Sequence, residues 1–111
     1  MAVGCSRRTG TRIAQVSIIR AASYSVDLAN IMRRILTEHR VAVSGKNVLL
    51  KPNLVEFNPQ APINTDPVFV AAAVEAFRSL GARSVGIAEG PGHRRTTLDM
   101  AEAAGFFAAV P

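Results

Sequence analysis

The sequence predicts an α/β fold: a three-layer, Rossmann-like parallel sheet with helices on its faces, present here as an incomplete domain. Three observations carry that expectation. Short apolar runs rich in Val, Ile and Leu alternate with longer stretches of helical periodicity. The order reads strand, helix, strand, helix, strand, helix, which implies two right-handed parallel crossovers. The apolar runs are continuous rather than alternating in and out, as suits strands covered on both faces.

Residues 1–12 read as a disordered polar leader, and residues 13–111 as the α/β portion. Arg7 and Arg8 after Ser6 resemble a twin-arginine signal, but Gln15, Ser17 and Arg20 interrupt the segment that follows. A signal peptide needs a continuous apolar core, and a membrane span needs about 18 apolar residues. Neither is present, so no membrane partner is expected, and the expected location is cytoplasmic. The first strand is expected at residues 15–19, the second at 47–51 around Val48-Leu49-Leu50, and the third at 84–89 around Val85-Gly86-Ile87-Ala88.

The first helix is expected to begin near Ser25, with Ser25 as cap and Asp27 in the first turn. Leu28, Ile31, Met32, Ile35 and Leu36 form one apolar stripe; Asn30, Arg33, Arg34, Thr37 and Glu38 face away. The second helix has the clearest start signal. Asp66 can cap, and Pro67 suits the first helical position because its missing N–H is not needed there. Val70, Val74 and Phe77 form its stripe, and Gly81 is the left-handed stop. The third helix is expected over residues 97–104, with Thr96 and Asp99 as an approximate capping box and Gly105 as its end. The chain stops at Ala108-Ala109-Val110-Pro111, just after this helix, where a fourth strand would be expected.

Apolar residues make up 49% of the 111-residue chain and charged residues 19%, a balance that excludes disordered and fibrous classes. The only cysteine is Cys5. This excludes an internal disulfide and a self-contained thiolate cluster for zinc or iron–sulfur. The formal charge is +5, concentrated in residues 1–46, where eight bases face two acids. Such asymmetry can signal nucleic acid. Here the bases are scattered, without interleaved aromatic residues to stack on nucleotides, so nucleic acid is not the expected partner.

Ligands of open parallel sheets bind beyond the carboxyl ends of the strands. Two loops leave such ends. The first, from Lys51-Pro52-Asn53 to Asn64-Thr65-Asp66, is about fifteen residues long, a length that in a compact domain usually marks function or mobility. Lys51 ends an apolar strand, so its ammonium either reaches solvent or pairs with an anion. Asn53 offers donor and acceptor groups to a ligand or to the turn itself.

The second loop is Glu89-Gly90-Pro91-Gly92-His93-Arg94-Arg95. Gly90 and Gly92 let backbone approach a ligand, the following helix start offers free amides, and Arg94 and Arg95 add positive charge. The loop fails the dinucleotide fingerprint because Arg95 stands where the third glycine belongs, and it is no P-loop. Glu89 and His93 are the candidate catalytic pair for proton transfer. Together with Asp99 or Glu56 they could also be imagined around a metal, but a solitary loop histidine is more often structural, and no metal site is assigned. The expected ligand is small and anionic, held by Lys51, Asn53, Gly90, Gly92, Arg94 and Arg95.

The stretches Val48-Leu49-Leu50-Lys51-Pro52-Asn53-Leu54-Val55, Ile63-Asn64-Thr65-Asp66-Pro67 and Ala88-Glu89-Gly90-Pro91-Gly92-His93-Arg94-Arg95 occur together at specific spacing. With the alanine-rich second helix, they make the chain resemble the N-terminal part of the domain-of-unknown-function 362 family, over residues 13–107. The resemblance implies an α/β domain longer than this chain, so the chain is expected to be a fragment; the alternative is a small domain whose homodimer covers the sheet edges. Some longer relatives carry ferredoxin-like cysteines for iron–sulfur clusters. Cys5 alone does not support such a cofactor here. The resemblance brings no reaction. Two functions stay open: part of an enzyme acting on a small anion, or a non-catalytic ligand-binding or iron–sulfur-associated redox module.

Overall fold

The computed structural model describes residues 13–90 and 96–110. The expected leader therefore lies outside the described residues, as do Gly92, His93, Arg94 and Arg95. In chain order the elements are α1 (Leu28–Glu38), β1 (Asn47–Leu50), α2 (Pro67–Ser79), β2 (Ser84–Ile87), α3 (Thr97–Ala103) and α4 (Phe106–Ala109).

The two strands run parallel, in a register that pairs Asn47 with Ser84 and Leu50 with Ile87. Parallel neighbours require a crossover, and α2 supplies it, packing against β2. Both α1 and α4 pack against α2. The main core cluster joins Leu54, Val70 and Phe106, with Leu50, Met100 and Ala104 packed around them. Leu54 comes from the loop after β1, so that loop is anchored in the core.

The expected first strand is corrected. Residues 15–19 form no strand, and Val16 and Ile18 are 76% and 93% exposed. Strand propensity expresses packing against neighbours rather than an intrinsic backbone preference. This segment instead lies by the end of α1, where the Ser17 hydroxyl and His39 Nε2 are 2.8 Å apart. The described sheet thus has two strands, and one of its faces is open: Leu49 is 70% exposed. After Gly105, whose φ is 80°, Phe106–Ala109 form the short helix α4. Phe106 must turn back after Gly105 to reach the core, and a helical turn does this over a short span.

The helices follow their sequence signals with one shift. The cap of α1 is Asp27, whose carboxylate accepts from the Asn30 amide at 2.9 Å, whereas Ser25 bonds to Ser23. An Asp at this place both caps and meets the positive helix end. Asp66 caps α2 by accepting from the Val68 amide at 2.8 Å, with Pro67 in the first turn. Replacing Asp66 by Ala is expected to cost about 1 kcal/mol, read as a lower urea midpoint with unchanged slope. Thr96 precedes α3 but makes no side-chain cap bond.

Candidate functional site

The chain beyond β1 keeps an alternating pattern. Pro52 and Leu54 are buried, while Lys51, Asn53 and Val55 are exposed. Burying Leu54 in the core turns its neighbours outward, which keeps the Lys51 ammonium out of the apolar interior. Beyond β2, the Ala88 amide donates to the Leu50 carbonyl at 3.0 Å, the last ladder bond between the strands. Glu89 follows immediately, at the same edge.

Here the two loops meet. Lys51 Nζ donates to Glu89 Oε2 at 2.5 Å, and the Gly90 amide donates to Glu89 Oε1 at 3.0 Å. One carboxylate is thus held by a donor from each loop. The Lys51 side chain is 72% exposed and that of Glu89 only 9%. Glu89 is shielded by its immediate neighbours but lies at the surface of the molecule. The hydrogen bond from Lys51 is the main reason that the Glu89 carboxyl titrates below its ordinary value; local desolvation pushes upward, and the Gly90 amide adds to the lowering. In this arrangement Glu89 is ionised at neutral pH, a state that orients a cation and holds no proton to give.

Asn53 takes a different position. Its Nδ2 donates to the Ile63 carbonyl at 3.0 Å, and its amide donates to Thr65 Oγ1 at 2.8 Å. Asn64 closes the same loop, its Oδ1 accepting from the Val55 amide at 2.8 Å and its Nδ2 donating to the Glu56 carbonyl at 2.9 Å. These side-chain-to-backbone bonds fold the long loop onto itself, as Asn does where no ladder is available. Of the expected site residues, Lys51, Glu89 and Gly90 come together, and Asn53 is joined to the far limb of its own loop. His93, Gly92, Arg94 and Arg95 are not among the described residues. Among the described residues no cluster of three His, Cys, Asp or Glu side chains could hold a metal.

Beside the ion pair lies a cleft of about 180 Å³, whose lining includes Pro52, Leu54, Ile87, Glu89, Leu98, Ala101, Phe106 and Phe107. The sequence reading missed it, because its walls come from both rim loops and from α3 and α4. The adjacent Phe106 and Phe107 after Gly105 were the available signal. A broader hollow of about 690 Å³ between α1 and α2 has no lining residue from either rim loop. Among the described residues, no helix is long and apolar enough to cross a membrane.

No curated protein and no solved structure matches the chain. A family model described as Domain of unknown function (DUF362) matches residues 48–111, from the start of the Val48-Leu49-Leu50-Lys51 run through both rim loops. That match covers more than half of the chain, and the protein belongs to the DUF362 family.

Proposed function

We propose that the protein binds a small phosphate- or carboxylate-bearing ligand at the rim made by the loops after β1 and β2, within a Rossmann-like sheet, as the substrate site of an enzyme. One observation carries this reading: Lys51 and the Gly90 amide, from separate loops, converge on a single carboxylate, that of Glu89. Donors so placed around an internal carboxylate have the geometry to take an external one.

The incoming anion displaces Glu89 from Lys51. Removing that hydrogen bond lets the Glu89 carboxyl rise toward its ordinary value and makes it a stronger base. Glu89, or His93 from the same loop, then moves a proton. Arg94 and Arg95 stabilise the charge of the bound group, Gly92 gives it close backbone approach, and Asn53 keeps the first loop in shape.

The test is an NMR titration of the full chain with inorganic phosphate, read at the Gly90 amide. Lys51→Ala is expected to weaken binding about tenfold or more, and Glu89→Ala to strengthen it about tenfold, because a charged hydrogen bond is lost in one and a competitor in the other. Unchanged phosphate affinity in folded Lys51→Ala would remove the reading.

A further inference from the structure

We infer that the anion bound at this rim carries a single aryl ring, seated in the cleft between the end of β2 and the α3–α4 pair; the inference rests on the anion reading above. Exposed apolar side chains are ordinary when scattered. Here Ile87, Leu98 and Phe107, which are 38%, 66% and 64% exposed, converge on one concave site. Its floor is the core cluster through Leu54 and Phe106. Apolar walls with a few converging polar groups are the usual make-up of a small-ligand site.

Size selects the guest. The cleft holds about 180 Å³. An apolar cavity of about 150 Å³ lined by Leu, Ile and Phe accepts benzene, so this one admits one ring and little more. Aromatic walls favour an aromatic guest through offset or edge-to-face contact. Charge selects the other end of the molecule. Glu89 lines the cleft and also bonds Lys51, so the ammonium stands at its border. A ring in the cleft and a phosphate or carboxylate on Lys51 are therefore within reach of one small molecule, an aryl phosphate or aryl carboxylate.

The experiment titrates the full chain by NMR with phenyl phosphate, inorganic phosphate and neutral benzyl alcohol. Phenyl phosphate is expected to bind about tenfold more tightly than inorganic phosphate, through burial of the ring, and to shift Leu98, Ala101 and Phe107. Phe107→Ser and, separately, Leu98→Ser should erase that difference while phosphate still binds; both side chains are mostly exposed, so neither change empties the core. Equal affinities for the two phosphates, still dependent on Lys51, would overturn the aryl seat and keep the anion reading. Benzyl alcohol shifting the cleft while neither phosphate perturbs Gly90 would support the seat and overturn the anion reading.

Discussion

Phe106→Ala is expected to cost the protein about 3–5 kcal/mol, the range for deleting a buried aromatic ring. Phe106 is 5% exposed and joins Leu54 of the first rim loop to Val70 of α2. No other described aromatic side chain is buried, so no second ring is available to fill the gap. Total stability of a domain this size is about 5–15 kcal/mol, and the variant would be substantially unfolded at modest urea concentration. Its neighbour provides the control. Phe107 is 64% exposed, and Phe107→Ala should cost no more than about 1 kcal/mol. Equal losses in urea titrations of the two variants would contradict the placement of Phe106 in the core. Because Leu54 shares that contact, the collapse should also loosen the loop bearing Lys51, linking core packing to ligand binding.

Gly81→Val is expected to destabilise by about 2 kcal/mol, from left-handed backbone strain in a β-branched residue. Gly81 ends α2 with φ +83°, and its carbonyl accepts from the Gly45 amide at 2.7 Å. A Cβ there would approach Ser44 Oγ at 3.3 Å, so the added side chain meets the turn before β1 as well. The loss should appear in the thermal midpoint. Gly86→Ala is the comparison: a Cβ there would find Leu49 Cδ1 at an ordinary 3.6 Å on the open sheet face, and the change should stay within about 0.5 kcal/mol. Similar losses in both would mean that the turn geometry at Gly81 is not what resists substitution.

The local elements were legible because their signals are local. The stripe of Leu28, Ile31, Met32, Ile35 and Leu36 is the covered side of α1, while Arg33, Arg34, Thr37 and Glu38 are exposed. Asp66, Pro67 and Gly81 bracket α2 as expected. Each is a matter of hydrogen-bond supply or backbone conformation within a few residues. Residues 15–19 had strand composition, but a strand exists only beside another, and the described sheet consists of β1 and β2 alone.

The site divides in the same way. Chain order and composition were enough to put Lys51 and Glu89 just beyond strand ends. The partner seen for Glu89 was another matter: the fold sets it beside Lys51, 38 residues away, a pairing that reading along either loop does not offer. Only the parallel register of β1 and β2 brings those groups within hydrogen-bond distance. The cleft beside them, with walls from four separate segments, depends on how α3 and α4 close over the loops. Periodicity and caps are short-range physics carried by the sequence itself; charge pairing and concavity arise from contacts distant along the chain, which exist only once the core has formed.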